Sequence, residues 1–177
     1  ELLTDPVLRT DADRKRLWQG LASAELDAVA SDHDPARWPE ERSTGSPWSD
    51  RPGLSGVELS LPYLLTAGLH GDRLNLERLV RITSFQPASI LGLTYRKGRL
   101  APGFDADFAV VDDHADWTVH AGSLHGLQRS TPFEGRRLTG RVRATYLRGR
   151  CIYRLGADGA ETVGPPGTGR LIVPRFH

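Results

Sequence analysis

Apolar positions along this 177-residue chain change their spacing twice, and each change marks a different kind of element. Near the start, Leu17, Trp18 and Leu21 recur at helical spacing behind Thr10-Asp11-Ala12-Asp13. There a hydroxyl followed three residues later by an acid is the signature of a capped helix start, so the pattern predicts a helix over residues 11–24. Leu26-Asp27-Ala28-Val29-Ala30-Ser31 follows as a short, mostly apolar run of strand length, and it ends abruptly in Asp32-His33-Asp34-Pro35. Helix, buried strand and polar strand end together read as half of a βα barrel unit. Residues 36–53 are rich in Pro, Ser, Gly, Trp and charge and have no period. A loop of that length in a packed domain is usually functional, and this one is expected to border an active site.

After residues 53–56 the apolar pattern returns over residues 57–69. A second amphipathic helix follows, with Leu76, Leu79, Val80 and Thr83 on one face and Asn75 as its N-cap. Pro87 suits the first turn of a further short helix and Gly92 its C-terminal cap. From Lys97 the texture changes. Gly98, Pro102 and Gly103 punctuate short runs, residues 106–112 and 142–153 are strand-like, and Gly149 stands at a hairpin turn. Three regions result: barrel-like residues 1–95, a β region over 96–155, and an extended tail over 156–177. Pro165, Pro166 and the nearby glycines exclude a helix or a central strand from that tail, which is expected to wrap over a neighbouring surface.

Charge removes function classes more than it suggests them. The 23 basic and 22 acidic residues are interspersed, leaving a formal charge of +1 and no footprint for nucleic acid or for a membrane surface. Small or neutral substrates fit better. No run approaches a membrane span and no secretory leader opens the chain, so the expected location is cytoplasmic. The single Cys151 agrees with a reducing compartment and reads as packing. The chain contains no Met and begins Glu1-Leu2-Leu3 within apolar material, so a natural start is expected to lie upstream.

Asp32 is the first candidate for chemistry. An acid ending a buried strand stands where βα barrels carry their catalytic groups, and there a carboxylate can ligate a metal and take a proton from bound water. The same carboxylate could instead cap a turn or pair with Arg37. His33 is a weaker ligand, since adjacent strand residues point to opposite faces. His70, His114, His120, His125 and His177 show no metal-site spacing, and the glycines form no phosphate loop.

Read together, the ordered motifs resemble the cyclic amidohydrolases: hydantoinase, dihydropyrimidinase, allantoinase and dihydroorotase. The resemblance rests on Asp5-Pro6-Val7-Leu8-Arg9, Ser31-Asp32-His33-Asp34-Pro35, Gly53-Leu54-Ser55-Gly56-Val57-Glu58 and Gln86-Pro87-Ala88. It rests further on the run from Lys97-Gly98 to Asp105-Ala106-Asp107 and on Pro132-Phe133-Glu134-Gly135. It implies an α/β fold: the C-terminal part of a (β/α)8 barrel, β-sandwich strands over 96–155 and a tail. In such a protein Asp32 ends the eighth barrel strand as metal ligand and catalytic acid–base, and Asp5, Arg9, Pro52 and Gly53 line the substrate side.

The family's one or two metals, usually zinc, are held mostly by histidines and a carbamylated lysine that this chain lacks. Neither Lys15 nor Lys97 stands at the strand position required. The implied catalyst is therefore completed by preceding sequence or another chain, with this chain alone inactive, a cyclic amide as substrate and a homo-oligomer as its assembly. Ala36, where dihydroorotases carry a second His, argues against that branch. Leu124-His125 and the stretch from Val163 to Arg170 favour hydantoinase or dihydropyrimidinase. The Gly53–Gly56 turn and the Arg-rich strand 140–145 suit allantoinase equally and keep it as the rival, while Asp5 and Pro52 depart from the hydantoinase pattern and leave a non-catalytic scaffold as a further alternative.

Overall fold

Thr10 caps the first helix as its sequence requires, and the rest of the molecule builds outward from the face which that helix buries. The computed structural model describes residues 3–35, 45–46, 48–126, 128 and 130–175. Helix α1 (Asp11–Ala22) opens with a reciprocal capping box: Asp13 N–H donates to Thr10 Oγ1 and Thr10 N–H donates to Asp13 Oδ2. Leu21 packs with Leu74 and the fully buried Ile82, and Trp18 and Val29 bridge this cluster to Leu64, Leu65 and Leu79.

Residues 26–31, predicted as a buried strand, form no ladder among the described residues. A strand is defined by its neighbours, and the described pairing near this run is the single parallel bridge between His33 and Leu54. Val29 N–H donates to Ile82 O, so the run is tied to the helical layer instead.

Helix α2 (Val57–Tyr63), which carries Pro62 in its interior, continues into a π-helical segment, Leu64–Leu69. Thr66 Oγ1 lies 2.8 Å from Pro62 O, and Thr139 N–H donates to the same hydroxyl from the sheet. The two helices expected over residues 76–83 and 87–92 are one run. Helix α3 (Leu76–Val80) passes through a π-helical segment, Arg81–Phe85, into α4 (Gln86–Ile90). The run continues through Pro87 without a break, so the proline does not start a new helix. The expected stop holds: Leu93 N–H donates to Ala88 O and Gly92 N–H to Ser89 O, the paired bonds of a Schellman cap.

A four-stranded antiparallel meander follows, ordered β1 (Phe108–Thr118), β2 (Arg137–Leu147), β3 (Arg150–Leu155) and β4 (Glu161–Val163). Arg148 and Gly149 form the tight β2–β3 turn, as the sequence predicted. Strand β1 runs beyond the expected residue 112 through a register shift between Asp112 and Asp116, a stretch too polar to read as strand. Pairing also continues past residue 155, because a turn at Asp158 and Gly159 brings Glu161–Val163 back onto β3. Leu59 of α2 joins Val119 and Leu138 in the core that fastens the helices to the sheet. Burying each such side chain contributes about 1.5–3 kcal/mol. The α/β class is therefore established, with a small antiparallel sheet.

Candidate active site

Backbone contact between residues 31–34 and residues 53–56 creates the candidate site. Asp34 N–H donates to Leu54 O at 3.2 Å, and Gly53 N–H donates to Leu3 O at 3.0 Å. A β-carbon on Gly56 would lie 2.6 Å from Ser31 O, so the turn rests directly on the backbone that carries Asp32. Beneath this junction lies a cavity of about 590 Å³, lined by Asp5, Asp32, Pro52 and Gly53 and walled by Trp18, Tyr63 and Phe133. Arg9 is exposed and does not line it. Four of the five sequence candidates thus meet at one cavity.

Asp32 adopts φ 46°, in the left-handed region, and is exposed. Among the described residues no hydrogen bond or ion pair reaches its carboxylate, whereas the neighbouring Asp34 pairs with Arg51 at 2.6 Å. Arg37 and Ala36 lie outside the described residues. The alternation rule that separated His33 from Asp32 does not run through a left-handed residue. His33 instead turns its Nδ1 toward the turn, where it accepts from Gly56 N–H at 3.2 Å and Val57 N–H at 3.4 Å. Used as an acceptor at Nδ1, the neutral ring carries its proton on Nε2.

Whether these residues fit a metal is decided by the donor set. A protein zinc site takes three or four side-chain ligands. Among the described residues no three His, Cys, Asp or Glu converge on one point, so Asp32 offers a single carboxylate and no metal centre forms from this chain's described part. Lys15 lies in α1, and Lys97 pairs with Asp105 at 2.8 Å and with Asp107. Arg96 grips Asp105 through two 2.8 Å bonds, and these bonds with those from Lys97 hold its carboxyl well below the usual range. Asp107 Oδ1 accepts Arg148 N–H at 2.7 Å. The most specific family motif is therefore a knot joining helix end to hairpin, away from the cavity.

Sequence reading missed a second cluster beside the turn. Glu58 Oε2 accepts His125 N–H at 2.8 Å and Gly126 N–H at 3.2 Å. The His125 ring lies between Glu58 Oε1, 2.8 Å from Nδ1, and Glu161 Oε2, 3.3 Å from Nε2. Tyr153 donates its hydroxyl to Glu161 Oε1 at 3.0 Å, and burial with that bond pushes its pKa up to about 12. The Glu58 hydrogen bond, then the two carboxylate charges, raise the His125 pKa against an opposing cost of burial.

A raised folded pKa stabilises the fold fully below the unfolded value near 6.5, and that contribution is lost as pH rises through the folded value. The thermal midpoint is expected to fall more between pH 6 and pH 8 in the native protein than in His125→Gln. An equal fall of the thermal midpoint in the two proteins would show that the Glu58 and Glu161 carboxylates do not stabilise the fold through His125.

The amidohydrolase family profile matches residues 67–153. The chain is 38% identical over 170 residues to an allantoinase of Deinococcus radiodurans, covering 96% of this chain and 36% of that protein. It is 40% identical over 131 residues to a dihydroorotase of Halobacterium salinarum, covering 74% of this chain and 30% of the relative. The crystal structure of a D-hydantoinase from Bacillus sp. AR9 superimposes with a TM-score of 0.92 at 29% identity, over 99% of this chain and 38% of that one. The chain thus spans about a third of the length of the relatives it matches, and across that span its sequence and its fold place it in the amidohydrolase family.

Proposed function

We propose that the complete protein hydrolyses the C–N bond of a cyclic amide or imide, in the manner of a hydantoinase or dihydropyrimidinase. The single observation that carries this reading is the meeting of Asp32 with residues 52–55 on one cavity of about 590 Å³, a size suited to a small ring. In this proposal residues 1–95 belong to the C-terminal part of a (β/α)8 barrel, residues 96–155 to the sandwich, and residues 156–177 to the tail. Preceding sequence or another chain supplies the remaining metal ligands. A metal held by Asp32 together with those ligands, expected to be zinc, would supply an activated water and a polarised carbonyl.

Asp32 would take the proton of the attacking water at a carboxylate oxygen as the C–O bond forms and return it to the ring nitrogen as the C–N bond breaks. Pro52 and Gly53 present backbone to the substrate, and the Trp18, Tyr63 and Phe133 wall excludes water from the ring. Arg9 is retained as a substrate contact of the assembled enzyme only. Exposed Val7, Leu8 and Leu17 near the cavity support a further segment or chain packing there, and exposed Leu171 and Val173 on the tail support a homo-oligomer.

Allantoin is the second reading, favoured by the 38% identity with the D. radiodurans allantoinase over nearly the whole chain. Assaying hydantoin, dihydrouracil, allantoin and dihydroorotate side by side on the metal-loaded complete protein separates the readings. Hydantoin or dihydrouracil is expected to exceed the others in kcat/KM by about tenfold or more, a difference near 1.4 kcal/mol in transition-state binding. A preference for allantoin moves the assignment to the second reading. No turnover of any of the four leaves the scaffold alternative.

A further inference from the structure

Two side chains outside the catalytic assignment hold the turn on which the proposed substrate site depends. Gln128 is 3% exposed, and its Oε1 accepts Ser55 N–H at 2.8 Å across 73 positions of sequence. Its Nε2 donates to Ser130 Oγ at 3.3 Å, which fixes the amide so that oxygen faces the turn. From the other side His33 Nδ1 receives the N–H groups of Gly56 and Val57, the first donors of α2. Among the described residues the buried Ser55 Oγ has no hydrogen-bond partner, so there Ser55 is held by its backbone N–H and not by its hydroxyl.

We infer that His33 and Gln128 are positioning residues that lock the turn 53–57 onto the Asp32 backbone and so set the placement of substrate relative to the proton acceptor. Neither needs to touch substrate. His33 fixes the distance between Asp32, its sequence neighbour, and the start of α2. Gln128 fixes the turn to the loop that precedes β2, so the site is braced from the sheet as well as from the helices. A misplacement on the order of 1 Å at such a site is worth up to a hundredfold in rate. This inference rests on the reading of the cavity as the substrate side.

The test pairs amide hydrogen exchange with steady-state kinetics on the complete metal-loaded protein. Gln128→Leu removes the acceptor at similar volume, so exchange at Ser55 is expected to accelerate by roughly tenfold or more, with kcat lowered by about tenfold or more and KM changed less than about threefold. His33→Leu is expected to do the same at Gly56 and Val57. His33→Asn, whose Oδ1 stands close to the place of Nδ1 and caps a helix well, is expected to restore that protection. Should Gln128→Leu fail to fold, the exposed His33 pair carries the same test.

Unchanged protection in the leucine variants would overturn the inference, and so would lost protection with an unchanged kcat. If the native protein opens no cyclic amide, the proposed function fails separately, and the exchange data still judge the brace.

Discussion

Asp32→Asn in the complete protein is expected to lower cyclic-amide opening by about 10²–10⁴-fold, the range contributed by a positioned general acid–base group. The substitution changes one oxygen to an amide nitrogen and little else. Asp32 sits at φ 46°, where Asn is at least as comfortable as Asp, whereas Ala would add backbone strain to the loss of the carboxylate. No described residue hydrogen-bonds to the carboxylate, so removing its charge leaves no buried partner unpaired. The fold and the melting temperature should therefore stay close to native while turnover collapses. Bound metal, measured on the same samples, separates a lost ligand from a lost proton acceptor. Turnover within a few fold of native would reject the assigned role.

How much of this was legible in sequence follows from the range over which each signal acts. The α1 start, the Gly92 stop and the Gly149 turn were readable because each is decided by residues three or four apart. The continuity of α3 and α4 was not, since Pro87 reads locally as a helix start, whereas the run passes through it without a break. Residues 26–31 looked like a strand because apolar residues and β-length were both present, but the run is half-buried or exposed, and a ladder needs neighbours that a sequence pattern does not supply.

At the site, Asp5, Asp32, Pro52 and Gly53 emerged from motif order, and they meet at one cavity. Gln128 did not emerge, because nothing in Gln128-Arg129-Ser130 distinguishes a buried amide from a wet one. His33 was set aside by an alternation rule that holds for extended backbone and fails at the left-handed Asp32. Glu58 and His125 were both noticed within motifs, yet their pairing across 67 positions belongs to the fold alone.

Gly53→Ala is expected to be the most damaging small substitution in the chain. Gly53 adopts φ 131°, which an L side chain rarely tolerates, and a β-carbon there would lie 2.1 Å from Asp34 O. That oxygen is backbone, so no flexible side-chain tip can swing away. It belongs to the same residue whose N–H donates to Leu54 O and whose carboxylate pairs with Arg51, so relieving the clash pulls apart the contact between residues 31–34 and 53–56. Strain at a left-handed position costs about 1–3 kcal/mol, and overpacking a similar amount, so a loss of several kcal/mol is expected, along with a raised KM. Gly159→Ala is the control, since Gly159 has φ 83° with nothing within 4 Å of its added carbon, and its loss should stay near 1 kcal/mol. Denaturant midpoints of the two variants measure the clash by difference, and equal destabilisation would show that residues 53–56 do not press on the Asp32 segment as closely as drawn.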